Sequence, residues 1–427
     1  MKKKSFYSVI ISLFLLVGGY FANNMSLFTG ENLLLYEIVE GLNYLLGGEQ
    51  KSTKESDVVF LNTAYDKELI PYKDEDGFKV GNTEITNRET LYKLLLYLNK
   101  VNYKYLIIDI RFMKELVCDR KVESESSEDS ISIDERLFQL IDSMDKVVVA
   151  THHGIELADS RLDDKSAFAD YNATVISTNF IRYEYFDSIP YIPLAVYNDL
   201  KQRDGDKIVK CHYPFGLKTK WLKPFAIYTQ GWHLCYNSLF LNFEVSHKTG
   251  KHALGELTNA NYIDNAEYLN IGKEFVHNKV DSREEILSDL KSICENKYVI
   301  IGNMVEDVHD TYAGPQSGPT IIYKALKALD DNLHTVSIPQ MFFLFLLYWI
   351  ICYVIIARIN VANYLPIIRN KKNKLLRFIV EMFSFTFILG LYNLFEYYMG
   401  RTAFSFVLPI IVFSLIKLSV EYKTFES

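Results

Sequence analysis

The chain has 427 residues, a net charge of −7 and a hydrophobic fraction of 49%. The negative balance argues against nucleic acid as a partner, because nucleic-acid-binding domains usually carry a basic footprint. The length allows one large domain together with membrane segments.

The five cysteines are scattered and form no C-x-x-C pair. Their spacing therefore indicates neither a zinc site nor a disulfide framework, and the sequence indicates no metal and no cofactor. Cys352 lies in an apolar run and is expected to be inert. Whether Cys211 and Cys235 pair depends on the compartment, because disulfides persist only where conditions are oxidising.

The N-terminus combines three lysines with a mostly apolar run over residues 6–22. This run is just long enough to cross a bilayer. The same features fit a signal peptide, so a cleaved leader remains an alternative. The following GYFANN is a poor small-x-small cleavage site, which favours a retained anchor over residues 1–22.

Residues 23–337 alternate between apolar strands and amphipathic helices. The predicted strands are 57–65, 104–112, 146–151, 173–180 and 297–303, and the predicted helices are 87–102, 134–145, 287–296 and 320–332. Thr86 is a candidate N-cap of the first helix, with Glu89 completing a capping box. Nearly continuous Val, Ile and Leu strands between helices predict an α/β domain with a largely parallel sheet covered on both faces.

Two segments interrupt this alternation. Residues 113–133 are acidic and Ser-rich, which predicts a solvated loop. Residues 199–285 are irregular and rich in Tyr, Trp and His, and we interpret them as an insertion at one edge, with a few strands such as LFLNFEV.

Polar residues follow several predicted strands, at the edge where ligands bind in parallel sheets. They are Asn62, Asp66, Asp109, Arg111, Thr151, His152 and Asn303. A carboxylate within LIIDIRF is costly to bury unless it is satisfied. Asp109 therefore either binds a ligand or metal, or pairs with Arg111 or caps a helix, and the structural interpretation is favoured.

The last predicted strand is followed by the segment NMVEDVHDTYAGPQSGP. In this segment several acidic residues lie close in sequence to His309. A site for a cation or polar ligand at Asn303 and Asp310 is one interpretation, and a structural rim is the favoured one, because the spacing is not that of an EF-hand. His152 and His153 are adjacent at a strand end and point to opposite sides, which argues against a shared metal. No hydrolase, zincin or phosphate-loop motif is present, so an enzyme is not expected.

The C-terminal third contains three apolar runs, at 338–359, 378–399 and 401–420. The loop 360–377 is basic and has no acid, so the positive-inside rule places it in the cytoplasm with the Lys-rich N-terminus. This topology predicts a multi-pass protein of a bacterial-type inner membrane, with residues 23–337 extracytoplasmic and the tail 421–427 cytoplasmic. Glu381 and Glu396 lie near span ends and could together bind a cationic partner helix.

The order of several sequence segments resembles the order found in a known family. VVFLNTAYDKEL, the leucine-rich helix before YLIIDIRF, and the VIIGN…D…GP…A corner before the membrane resemble the second CHASE-type domain (cyclase/histidine kinase-associated sensory extracellular) over about residues 30–335. One N-terminal span and three closely spaced C-terminal spans also fit this family. The acidic pair usual after the first strand reads here as Asn62-Thr63-Ala64-Tyr65-Asp66.

The resemblance implies a sensory domain that detects a small-molecule or peptide ligand and signals through its spans. Family members usually carry a cytoplasmic output module, whereas only seven residues follow the last predicted span here. We therefore expect the output to come from a separate cytoplasmic or membrane signalling protein. A structural or interaction subunit of a membrane complex is the alternative, an extracytoplasmic hydrolase is a second one, and a homo-oligomer remains open.

Overall fold

The computed structural model describes the residues that carry the fold. They are 2–23, 57–73, 78–118, 120–122, 131–170, 181–182, 189–213, 216, 225–236, 238–239, 268–271, 283–311, 314–359, 374–400 and 407–422. Within these ranges the chain forms an α/β domain between one N-terminal apolar helix and three C-terminal helices.

The strands of the described part are short. They are β1 (Val58–Asn62), β2 (Lys67–Lys73), β3 (Lys79–Thr86), β4 (Tyr105–Asp109), β5 (Lys121–Val122), β6 (Ile131–Ser132), β7 (Val147–Thr151), β8 (Ser166–Phe168), β9 (Ile181–Arg182), β10 (Val209–His212), β11 (Ile227–Gln230), β12 (His233–Cys235), β13 (Ser238–Leu239), β14 (Tyr268–Asn270), β15 (Tyr298–Gly302), β16 (Val308–Thr311), β17 (Gly314–Ser317) and β18 (Thr335–Val336).

The α-helices are longer and fall into a domain set and an apolar set. They are α1 (Lys2–Asn23), α2 (Arg88–Leu98), α3 (Ile133–Ser143), α4 (Ile192–Arg203), α5 (Arg283–Cys294), α6 (Gly318–Asp330), α7 (Ile338–Ile356), α8 (Lys374–Gly400) and α9 (Val407–Tyr422). Two 3₁₀ helices, Lys114–Leu116 and Ser160–Lys165, lie between domain elements.

The centre of the domain is a six-stranded sheet with the order β14-β1-β15-β4-β7-β8, in which every neighbouring pair is parallel. β1, β7 and β15 are buried along their whole length and β4 over nearly all of it, because both faces of the sheet are covered. The predicted parallel sheet is confirmed. The strand predicted at 173–180 lies outside the described residues.

Alternating side chains of the central strands enter two separate cores. Val59 and Leu61 face the layer that contains α2, α3 and α5. Val58 and Phe60 face the layer that contains α4 and α6. This alternation is the two-residue period of a strand, and it builds a three-layer domain with helices on both faces.

Helix α2 begins at a cap that differs from the predicted one. The side chain of Asn87 accepts a hydrogen bond from the backbone N–H of Thr90 at 2.9 Å. Thr86 is instead the last residue of β3, where it pairs with Lys67. The prediction of Thr86 as the cap is wrong because the β2–β3 ribbon continues to that residue.

A second sheet, antiparallel and with the order β10-β11-β12-β18, lies between the α/β domain and the apolar helices. Tyr228 and Cys235 pack in the domain core, whereas Leu234 and Val336 pack with α1 and α7. Strands β10, β11 and β12 of this sheet and strand β14 belong to the segment 199–285, and β14 is an edge strand of the central sheet. Of the predicted strand LFLNFEV, residues 240–245 lie outside the described part.

The cysteines of this sheet do not form a disulfide. Cys211 and Cys235 both lie opposite Tyr228, one on each side of β11. Two strand spacings separate their Cα atoms by roughly 10 Å, beyond the span of a disulfide. None of the five cysteines forms a disulfide.

Three helices of the described part are long and apolar enough to cross a membrane: Lys3–Ala22, Ile338–Ile356 and Phe378–Glu396. They match the spans predicted at 1–22, 338–359 and 378–399, and indicate a membrane protein. Within α9 the apolar stretch is shorter, Leu408–Val420. Helix α1 packs along α7, and α9 packs on α7 and α1.

Candidate functional site

The carboxyl ends of the central strands meet at one edge of the sheet. The parallel register aligns Asn62 of β1 with Gly302 of β15, and Gly302 with Asp109 of β4. His152 follows β7 directly, and Phe168 ends β8. The strand-end rule used on the sequence therefore brings these residues to one edge, because these five neighbouring strands are all parallel.

A cavity of about 310 Å³ opens at this edge, between the strand ends and helices α4 and α6. Its polar wall is formed by Asp109, Arg111, His152, Asp170, Asp307 and His309. Its apolar wall is formed by Phe168, Tyr191, Pro193, Ile321 and Ile322. The volume lies at the lower end of the range of small-molecule pockets, and the lining is both polar and apolar.

Asp109 is the most perturbed acid of the cavity. Burial raises the pKa of its carboxyl to about 7, and the nearby carboxylate of Asp307 raises it further, while His309 and Arg111 oppose the shift. Both carboxylates approach Gly318, the first residue of α6: a Cβ on Gly318 would lie 3.4 Å from Oδ2 of Asp109 and would overlap Oδ2 of Asp307. The two acids thus lie side by side at a helix N-terminus, and Asp109 is poised to exchange a proton near neutral pH.

Two histidines of the polar wall are each held by an aspartate. His309 Nε2 lies 3.0 Å from Oδ1 of Asp307, and this hydrogen bond raises the pKa of His309. His152 Nδ1 lies 2.7 Å from Oδ1 of Asp170. The other carboxylate oxygen of Asp170 accepts the backbone N–H of His153 at 2.6 Å. These pairs fix the rings at the cavity, and with Arg111 they supply donors opposite the apolar wall.

Asn62 serves the fold rather than the cavity. Its Oδ1 accepts the backbone N–H groups of Ala64 and Met304, at 3.1 and 3.0 Å, and its Nδ2 donates to Asn270 at 2.9 Å. The side chain is fully buried. One amide therefore ties the turns after β1 and β15 to strand β14.

Asn303 is likewise a turn residue. Its Oδ1 accepts the backbone N–H groups of Val305 and Glu306, and its Nδ2 donates to Glu306 Oε2 at 2.7 Å. Asp66 closes the turn into the β2–β3 ribbon, where its backbone bonds to Thr63 and Asn87. Neither Asn303 nor Asp66 lines the cavity.

Of the predicted ligand-binding candidates, the structure brings Asp109 and Arg111 together in the cavity. Asp310 lies in β16, where it pairs with Pro315, and its side chain is outside the described part. The sequence did not single out Asp170, Phe168 or Tyr191. These residues reach the cavity through β8 and the start of α4, and the three-residue strand β8 has no recognisable pattern of its own.

The membrane glutamates are buried against neighbouring helices. Glu381 and Glu396 are 5% and 3% exposed. Glu381 forms an ion pair with Lys417 of α9, so the chain itself supplies a cation for this carboxylate. Whether either residue also binds a partner helix stays a prediction.

Replacing Gly302 with Ala is expected to destabilise the domain by about 1–3 kcal/mol, the usual cost of overpacking. A Cβ at this position would lie 2.6 Å from Cγ of Pro319 and 3.2 Å from Cβ of Asp109, neither of which swings away freely. Thermal unfolding of the variant would show this loss. The matched control is Gly81→Ala, whose Cβ would meet nothing within 4 Å. Equal melting temperatures for both variants would show that α6 shifts to make room.

In the part of the chain that the structure describes, no group of three or more His, Cys, Asp or Glu side chains is arranged to hold a metal ion. The cavity instead offers charged donors and acceptors facing an apolar wall, an arrangement that suits binding and proton exchange. No family model, curated protein or solved structure matches the chain.

Proposed function

We propose that this protein is a membrane-anchored sensor whose α/β domain binds a small ligand in the cavity at Asp109. The ligand class that fits is a small amphipathic molecule with a cationic or hydrogen-bonding group. That group would meet the Asp109 and Asp307 carboxylates, while its apolar part would lie against Ile321 and Ile322. The binding of a positive group would also stabilise the ionised form of Asp109.

One observation carries this proposal: helix α6 connects the cavity to the membrane helices. Gly318, Ile321 and Ile322 in its first turns line the cavity. Its 13 residues end at Asp330, and β18 and α7 follow at once. A rise of 1.5 Å per residue makes α6 about 20 Å long. A ligand that moves its first turn therefore acts on a rigid element that leads directly into a span.

The topology we propose has four spans, with α9 as the fourth and the α/β domain outside the cytoplasm. The Lys-rich N-terminus and the basic loop 360–377 support it through the positive-inside rule. The CHASE-type resemblance of residues 30–335 supports the same arrangement. A separate cytoplasmic or membrane partner would then receive the signal.

The test is ligand-induced stabilisation of the full-length protein in detergent, screened with amino acids, polyamines and small amines. A ligand at 100 times its Kd stabilises the folded state by about 2.7 kcal/mol, which shifts the melting temperature measurably. Ala169→Phe, which fills the cavity, is expected to abolish the shift, and its melting temperature without solute checks that it folds. Stabilisation that survives in Ala169→Phe, or no stabilising solute in the screen, would count against the cavity as a sensor site.

A structural or interaction subunit is the second candidate, and the β2–β3 ribbon favours it. Leu69 in β2 and Phe78 directly before β3 are 66% and 70% exposed, and a surface with several large exposed apolar side chains is a candidate contact surface. Crosslinking and mass spectrometry of the protein purified in mild detergent distinguishes the two proposals. A stoichiometric complex lost in Leu69→Asp/Phe78→Asp would favour the subunit, whereas a bound cytoplasmic regulator would favour the sensor. A hydrolase, the third class, would require an activity that is lost in Asp109→Asn.

A further inference from the structure

The antiparallel sheet β10-β11-β12-β18 has one face toward the domain and one toward the apolar helices. Leu234, Tyr236 and Val336 lie on the helix side, in one cluster with Tyr20 of α1 and Leu344 of α7. Leu234 pairs with Val336 across the strands, and Tyr236 follows two residues after Leu234. Because side chains alternate along a strand, the same face includes every second residue of β12.

Tyr20 fixes this face on the end of α1. Its hydroxyl donates to the backbone carbonyl of Cys235 at 2.9 Å and accepts the backbone N–H of Tyr228 at 3.3 Å. Its ring stacks on Tyr236 with 5.8 Å between centroids. Tyr20 lies near the end of the span Lys3–Ala22, and Val336 lies two residues before the span Ile338–Ile356. One face of the sheet therefore packs against the domain-side ends of two spans.

The helix-side face extends beyond the two helices. Lys210 of β10 pairs with Thr229, and Thr229 pairs with Leu234, so these three residues share the face. His212 is on it as well, because its Nε2 lies 3.0 Å from Oγ1 of Thr229. Lys210 and His212 are exposed. A cation and an imidazole thus occupy the part of the face that the helices leave uncovered.

Trp232 lies at the end of this uncovered part. It follows Gly231 in the β11–β12 turn, two residues before Leu234, and is 90% exposed. Gly231 has a φ of +62°. The side chain of Lys207 packs against it, and a Cβ on Gly231 would lie 2.6 Å from Cδ of Lys207. Trp232 precedes β12 and Ile338, the first residue of α7, follows β18, so both lie just beyond the same end of this antiparallel pair. The most exposed tryptophan of the described part is thus on the side of the sheet where α7 begins.

We propose that this face rests on the lipid headgroups of the bilayer that α1 and α7 cross, with Trp232 inserted at the interface and Lys210 near the phosphates. We identify the bilayer as the contact partner because the uncovered part of the face continues directly from the part that packs on the two spans. Tryptophan is the residue most suited to the boundary between acyl chains and water, and a lysine stem places its ammonium at headgroup level. The contact orients the α/β domain relative to the membrane surface.

The experiment uses the full-length chain with Trp232 as its single tryptophan, made by Trp221→Phe and Trp349→Phe, in phosphatidylcholine vesicles. Lipids brominated at shallow acyl positions are expected to reduce Trp232 emission at least two-fold, and aqueous iodide is expected to have little effect. The matched control moves the tryptophan with Trp232→Phe and Phe78→Trp. Phe78 is 70% exposed, directly before β3 in the ribbon that follows the carboxyl end of β1, so iodide and not bromine is expected to quench it.

Quenching of Trp232 by iodide and not by brominated lipid would overturn the proposal. Shielding from both quenchers in native membranes, with loss of shielding in vesicles, would also overturn it, because the occupant would then be a protein. Melting temperatures of both single-tryptophan proteins, compared with the unmodified chain, show whether they are folded. The readout requires no ligand, so it is independent of the proposed sensor function.

Discussion

Replacing Asp109 with Asn is expected to stabilise the domain at pH 8 by about 2–4 kcal/mol and to change its stability little at pH 4. Burial and the neighbouring Asp307 raise the pKa of the Asp109 carboxyl from 3.8 to about 7. One pKa unit corresponds to about 1.4 kcal/mol, which sets the scale of the effect. Asn keeps the shape of the protonated acid and removes the charge.

The sign follows from proton linkage. Between pH 4 and pH 7 the folded state holds the Asp109 proton while the unfolded chain has released it, so the folded state binds more protons. The free energy of unfolding therefore decreases as pH rises through this window, and levels off above it. In Asp109→Asn that decrease is absent, so the difference between the two proteins grows with pH. The same linkage predicts that a cationic ligand binds more tightly above pH 7, where the carboxyl is ionised.

Thermal or urea unfolding of both proteins at pH 4, 6 and 8 measures this difference. The control is Asp163→Asn, which removes an exposed carboxylate that does not line the cavity. A variant that is less stable than the unmodified chain at pH 8 would show that Arg111 and His309 hold Asp109 ionised. The cavity would then contain a fixed negative charge rather than a titrating one.

The parallel sheet could be predicted because each central strand is a short, continuous run of apolar residues, the pattern of a strand that is buried on both faces. β1, β4, β7 and β15 each begin and end within a few residues of the predicted bounds. Asp109 and Arg111 lie at the cavity for the same reason: a polar residue that follows such a strand lies at the carboxyl edge. Their role in ligand binding stays a prediction. Position along the chain was sufficient for these two residues.

The same argument could not separate cavity residues from turn residues. Asn62 and Asn303 also follow buried strands. Their side-chain oxygens, however, accept hydrogen bonds from backbone N–H groups of neighbouring turns. Whether such a residue lines the cavity or bonds to a turn depends on the path of the following loop. That path is set by contacts between residues that are distant in the sequence. Phe168 and Tyr191 were missed because β8 pairs with β7 over only three residues, too few to leave a periodic pattern.

Removing the guanidinium of Arg88 is expected to cost about 3–5 kcal/mol, because it leaves a buried carboxylate without its cation. Arg88 and Asp134 are each 1% exposed, and Arg88 Nε lies 3.2 Å from Asp134 Oδ1. The guanidinium also lies 4.7 Å from the ring centroid of Phe112 and donates to the carbonyl of Arg111 at 3.4 Å. Arg88→Met is the variant, since Met keeps most of the volume and removes the charge.

The cause can be tested by removing both charges. Arg88→Met and Asp134→Leu are each expected to be strongly destabilising, because burial penalises whichever charge is left. The double variant is expected to recover much of the loss, although the N–H of Cys118 would lose Asp134 Oδ2, which it meets at 2.6 Å. Urea unfolding of the four proteins gives the coupling energy directly.

A matched control is the exposed pair Arg203 and Asp145, joined by two bonds of 2.9 and 2.8 Å. Arg203→Met is expected to cost at most about 1 kcal/mol, because water replaces the lost partner. If Arg88→Met were as mild as Arg203→Met, water would have to reach Asp134 between α2 and α3. The Arg111 carbonyl would then also be free to move, and the polar wall of the cavity would not be fixed by the core behind it.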